Sequence, residues 1–115
     1  MAAPGAPDRF RAAIAFYPPC ASLRADTTIP ILLLMGEHDG VTPASECVTV
    51  AQQLKAGGKD VSWVVYPGAH HGFDNPEAGV GVLLPWGLVK YDPAAARDAR
   101  RRVAVFLSNQ LQRFR

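Results

Sequence analysis

The sequence predicts an α/β domain of three mainly parallel strands with flanking helices, on three observations. Three runs, Phe10 to Tyr17, Ile29 to Met35 and Val61 to Tyr66, are almost continuously apolar, the pattern of strands covered on both faces. Each run ends at a breaker: Pro18-Pro19, Gly36 and Pro67-Gly68. A helical pattern with readable ends lies between the second and third runs, and a longer one follows the third.

Residues 1 to 8 carry three Pro or Gly breakers and read as a flexible lead-in, leaving 9 to 115 as the domain. The first two runs are separated by about a dozen residues, room for a compact crossover but not a full helix. Thr42 reads as the N-cap of the first helix, with Pro43 as its first residue. Cys47, Val50, Ala51 and Leu54 repeat at helical spacing, and Gly57-Gly58 stops it. A strand, helix, strand order implies a parallel crossover. Asp92 caps the last helix at Pro93, and Ala99, Val103, Phe106 or Leu107, Leu111 and Phe114 form its apolar stripe. The segment from Asp74 to Tyr91 reads as a loop whose apolar stretch, Val80 to Trp86, is expected to pack over something, such as the mouth of a site.

A length of 115 residues fits one domain, which buries roughly 65% of its unfolded surface. With 49% hydrophobic and 19% charged residues, the composition argues for a compact globule and against a disordered tail or a coiled coil. A net charge of +2 calls for no polyanion. The arginines at 97, 100, 101, 102, 113 and 115 read as a solvated helix face rather than a nucleic-acid patch, since no aromatic residues interleave and Asp98 interrupts them. Cys20 and Cys47 lack metal-ligand spacing and read as two reduced thiols. The opening residues have no signal-peptide pattern and no run is long enough to span a bilayer, so a cytoplasmic location is expected.

The polar residues cluster where strands end. The second run leads into Gly36-Glu37-His38-Asp39-Gly40 and the third into Pro67-Gly68-Ala69-His70-His71-Gly72-Phe73. Open α/β sheets place their sites at these carboxyl ends. A carboxylate facing an imidazole there holds its tautomer and stabilises the imidazolium that forms when Nε2 takes a proton. Glu37 and His38 read as surface residues. A metal set of His38, Asp39, His70, His71 and Asp74 is the weaker reading, because adjacent histidines on a turn diverge.

The succession FYPPC, ILLLMGEHDGVTP, VVYPGAHHGFD and YDPAAARDARRRVAVFL resembles the C-terminal part of the dienelactone hydrolase family, within the α/β-hydrolase superfamily. The resemblance covers the chain from about Phe10 onward. It implies the C-terminal part of an α/β-hydrolase fold, a partial domain with the nucleophile strand missing. It implies a carboxylic-ester or lactone hydrolase working through an acyl-enzyme, without a cofactor or metal. The family's G-x-x-D-x-x-x-P pattern places the triad acid on Asp39, with Gly36 and Pro43 matching, and the base on His71, which precedes Gly-Phe. His70 then lines the site or faces solvent, and Trp86, Phe73 and His70 are the substrate-side candidates, with Val82 and Leu84 on the same apolar wall.

No G-x-S-x-G elbow precedes Asp39. Ser22 and Cys20 follow Pro18-Pro19 without flanking glycines, and the resemblance puts Cys20 on the strand after the nucleophile strand. The nucleophile and the oxyanion donors are therefore expected from outside this chain. The Phe10 to Tyr17 edge would pair with a second copy or with an N-terminal half. The alternative is a catalytically inactive fragment used for binding or assembly. Neither reading involves nucleic acid or a membrane.

Overall fold

The computed structural model describes residues 11–23 and 26–113. The expected lead-in, Phe10 and Phe114 lie outside the described residues. Strands β1 (Ala13–Phe16), β2 (Ile31–Gly36) and β3 (Val61–Tyr66) form one parallel sheet in chain order. A single turn of 3-10 helix, Cys20–Ser22, lies in the first crossover, and helix α1 (Ala44–Ala56) forms the second. A hairpin of β4 (Val82–Leu84) and β5 (Gly87–Val89) precedes helix α2 (Pro93–Arg113).

Strand β2 is buried along its whole length, since it has neighbours at both edges and cover on both faces. Side chains alternate across a strand, so one sequence run feeds two cores. Ile31, Leu33 and Met35 pack with Val61 and with Cys47, Ala51 and Leu54 of α1. Leu32 and Leu34 pack with Tyr66, Phe73 and the α2 residues Ala95 and Ala99. A strand serving two cores has no polar face to show in the sequence.

Several boundaries differ from the sequence reading. β1 opens at Ala13 rather than Phe10, and β2 at Ile31 rather than Ile29. Pro30 has no N–H to give a ladder, and its carbonyl accepts from Ala13 N at 2.9 Å. Helix α1 starts one residue later than expected, with Pro43 as the flanking residue, and Thr42 does not cap it. The start of α2 is as read: Asp92 accepts from Ala95 N at 3.1 Å and Pro93 is the first helical residue. Its stripe is corrected at the far end. Val103 and Phe106 pack against the core, whereas Leu107 and Leu111 are exposed. Twenty-one helical residues run about 31 Å, while a six-residue strand runs about 20 Å, so the last turns of α2 outrun the sheet.

Two further expectations are corrected. The segment read as a loop holds a 3-10 turn, Pro76–Ala78, and the β4–β5 hairpin, whose turn is Pro85-Trp86. Most of its apolar side chains are not covered: Val80 is 96%, Leu83 81% and Trp86 60% exposed, while Leu84 is half-buried. The two cysteines are not free thiols but a disulfide, Cys20–Cys47, which removes the ground for expecting a reducing compartment. Their sequence spacing carries no motif. The 3-10 turn packs against α1 and brings the two Cα atoms to 5.0 Å, within disulfide reach. No helix among the described residues is long and apolar enough to cross a membrane.

Arg97, Arg100, Arg101 and Arg102 are exposed, as expected, and two of them are also used. Arg101 Nη2 and Arg102 Nε each donate to Asp98 at 2.7 Å, and the Tyr66 hydroxyl donates to Asp98 at 2.8 Å, tying α2 to the end of β3. These donors hold the Asp98 carboxyl well below the usual carboxylate range. Burial, then the bond to Asp98, pushes the Tyr66 hydroxyl up to about 12. A depressed carboxyl contributes stability above its ordinary value of 3.8 and loses it as pH falls below. The raised Tyr66 hydroxyl contributes below its ordinary value of 10.0 and loses its effect as pH climbs toward 12.

Two outcomes are expected from this architecture. Reduction of Cys20–Cys47, or Cys47→Ser, lowers unfolding free energy by about 3 kcal/mol in urea titrations; identical curves with and without reductant would refute a stabilising bond. Asp98→Asn destabilises the protein at pH 7, and the gap to the wild type narrows as pH falls through the carboxylate range, measured by denaturation at pH 7 and pH 3. A gap that stays constant would show that the ionised carboxylate is not what matters.

Candidate functional site

The loops after β2 and β3 meet because two backbones touch. A Cβ on Gly36 would lie 2.5 Å from the Ala69 carbonyl oxygen and 2.8 Å from its carbon, so only glycine allows the approach. Backbone bonds then stitch the loops together: Glu37 N donates to Tyr66 O at 3.0 Å and His38 N to Ala69 O at 2.8 Å. After β3, Gly72 has a φ of +73° and abuts the Val89 side chain, which leaves no room for a Cβ. Lys90 N donates to His71 O at 3.1 Å, fixing β5 beside the turn.

These constraints bring Asp39 and His71 together. The Asp39 carboxylate is 1% exposed, and its Oδ2 accepts from His71 Nδ1 at 2.9 Å. Its Oδ1 accepts from Val41 N and Thr42 N, both at 2.8 Å. A carboxylate is acceptor-only, so the network assigns the His71 proton to Nδ1 and leaves Nε2 with a free lone pair. The His71 side chain is 21% exposed and reaches solvent with part of its ring. A buried, fully bonded carboxylate holding a partly exposed imidazole in one tautomer can accept a proton at Nε2 and stabilise the cation formed.

Two contributors were not singled out from sequence. Thr42, read as a helix cap, places its hydroxyl 2.9 Å from Tyr17 O, 3.1 Å from Asp39 Oδ2 and 3.2 Å from His71 Nδ1. Its position three residues after Asp39, in an Asx-type turn, is the signal that was available. Tyr17, read as a strand end, lies with its ring centroid 4.3 Å from that of His71. Its backbone φ is +40°, the one positive value on a non-glycine among the described residues. That conformation costs an L-residue on the order of 1–2 kcal/mol.

The other sequence candidates scatter. Phe73 is fully enclosed among the rings of Phe16, Tyr17 and Tyr66 and is a core residue, not the substrate wall expected. His70 turns from His71 toward His38, ring centroids 5.7 Å apart, and lines a cleft of about 260 Å³ with Gly68, Lys90, Tyr91, Asp92 and Pro93. A groove of about 470 Å³ lies between β3 and the start of α2. Neither cavity includes Asp39 or His71. Trp86 stands exposed on the hairpin turn next to Gly87, which packs against Val41 of the loop after β2. Glu37 and His38 are exposed, as read, though Glu37 also accepts from Gly68 N at 3.0 Å. Among the described residues no group of three His, Cys, Asp or Glu side chains is disposed to hold a metal, against the weaker metal reading.

Comparisons with known proteins agree on the fold. The model of the dienelactone hydrolase family matches residues 1–111. No curated protein matches the chain. Among solved structures, a protein of Klebsiella pneumoniae subsp. pneumoniae assigned as a dienelactone hydrolase is similar at a TM-score of 0.67 and 24% identity, over 85% of this chain and 42% of that one. Esterase 2 of Thermogutta terrifontis, phosphoramylated by tabun, is similar at 0.61 and 21% identity, over 86% of this chain and 41% of that one. The chain thus spans about two fifths of the length of either protein and has a partial α/β-hydrolase fold.

Gly36→Ala is expected to push the two strand-end loops apart. NMR of 15N-labelled histidines should show loss of the single Nδ1-protonated form of His71, with unfolding free energy lower by about 1–3 kcal/mol. An unchanged His71 spectrum would refute the claim that this contact sets the geometry.

Proposed function

The chain belongs to the dienelactone hydrolase family, and from that premise we propose that it supplies the acid and base of a carboxylic-ester or lactone hydrolase. The observation that supports the reading is the His71 Nδ1 to Asp39 Oδ2 bond of 2.9 Å at the ends of adjacent parallel strands. In this reading a serine hydroxyl or cysteine thiol from outside these residues attacks the substrate carbonyl carbon as His71 Nε2 takes its proton. His71 then passes that proton to the departing alcohol, leaving an acyl-enzyme, and activates the water that releases the acid. Asp39 keeps its negative charge beside the imidazolium throughout. Trp86, on the exposed hairpin beside the loop after β2, is the substrate-side residue of this reading; His70 lines a separate cleft and Phe73 is enclosed in the core, so neither joins it.

The nucleophile needs a strand of its own, and β1 has a free edge among the described residues, since its one strand partner there is β2. An N-terminal half, or a second copy of the chain, pairs along that edge. The same exposed edge and the exposed hairpin also favour a second reading, a catalytically inactive module used for assembly.

The two readings separate on a protein extended upstream in its own reading frame to include a nucleophile elbow. The hydrolase reading expects turnover of p-nitrophenyl acetate, covalent labelling by a fluorophosphonate, and slowed amide exchange along β1. It expects kcat to fall by about 10⁴ in both His71→Ala and Asp39→Asn. An extended protein that neither turns over nor labels, or a His71→Ala variant of full activity, would sink it in favour of the assembly module.

A further inference from the structure

Tyr17 touches His71, the turn that follows it, and Thr42 in the loop after β2. Its hydroxyl donates to Asp74 Oδ1 at 2.6 Å, in the turn that follows His71. Its ring packs on the His71 imidazole at 4.3 Å, tilted by 58°. Its carbonyl accepts from the Thr42 hydroxyl at 2.9 Å, while its own N–H donates to Leu34 O at 2.7 Å and anchors it to the central strand. Left to itself, a tyrosine before a proline avoids a positive φ. Here the contacts hold the residue where its ring and its carbonyl serve different loops.

The Thr42 hydroxyl has one proton and three polar neighbours. Given to Tyr17 O, the nearest, it leaves an oxygen lone pair facing His71 Nδ1 at 3.2 Å. Given to Asp39 Oδ2, it adds a donor to that carboxylate. Either arrangement favours a proton on Nδ1. Burial and the Asp74 carboxylate push the Tyr17 hydroxyl up, so it stays a donor through neutral pH.

We propose that Tyr17 is a positioning residue for His71, setting the imidazole plane with its ring, holding the base turn through Asp74, and directing Thr42 onto the Asp39–His71 bond. This rests on reading His71 as the base. Tyr17 also meets Phe16 and Phe73, with centroids 6.2 and 5.6 Å away, so loss of stability alone would not distinguish positioning from packing.

The discriminating readout is the His71 Nδ1 proton in the full protein labelled with 15N-histidine. Tyr17→Phe keeps the ring and releases Asp74; exchange of the Nδ1 proton with water should rise roughly tenfold. Asp74→Ala should do the same, and the double variant should be no worse than either single one. Tyr17→Leu, which removes the ring as well, should give a mixture of the two neutral tautomers. In the extended protein, kcat should fall by about 10- to 100-fold in Tyr17→Leu with KM little changed. Unchanged exchange in Tyr17→Phe, or fully additive effects in the cycle, would overturn the proposal. If Tyr17→Leu fails to fold, the Tyr17→Phe and Asp74→Ala cycle decides alone. Should the extended protein lack hydrolase activity, the functional reading falls while the His71 spectrum still decides the role of Tyr17.

Discussion

The buried Asp39 carboxylate is the group around which the strand-end loops are arranged. Two backbone N–H groups fill one oxygen, and an imidazole and a hydroxyl share the other. A carboxylate 1% exposed is tolerable only with such partners. That requirement draws residues 41 and 42 into a tight turn, delays the start of α1 by a residue, and fixes the side from which His71 approaches. The energetic need of one charge thus becomes the geometry of the site.

The sheet makes this possible by placing both loops at the same end of adjacent parallel strands. Central β2 is packed on both faces, so its end is rigid, and Gly36 lets the backbone after β3 come into contact with it. The Cys20–Cys47 bond ties the turn after β1 to the helix that follows the Asp39 loop. Tyr17, between β1 and that turn, closes the arrangement from the end of β1. The candidate site and the fold are held by the same few contacts, and the strained backbone of Tyr17 falls at their junction.

Much of this was legible from the residues. Unbroken apolar runs indicated strands with two covered faces, Asp92-Pro93 marked the start of α2, and the glycines and carboxylate after β2 pointed to a strand-end site. The hairpin was not legible. Val80 to Trp86 alternates poorly and contains Pro85, and what makes it two strands is their pairing with each other. Phe73 was misplaced because a large ring beside a histidine looks the same in sequence whether it faces a substrate or the core.

Sequence by itself determined the three parallel strands, the two long helices and their order, because periodicity and breakers are local, and the resemblance to the dienelactone hydrolase family implied the pairing of Asp39 with His71. Only the tertiary structure decided that the cysteines are joined, that Thr42 serves the site rather than the helix, that His70 faces another cleft, and that Tyr17 lies on the imidazole. Each of those rests on distances between residues far apart in the chain, which packing sets and local pattern does not encode.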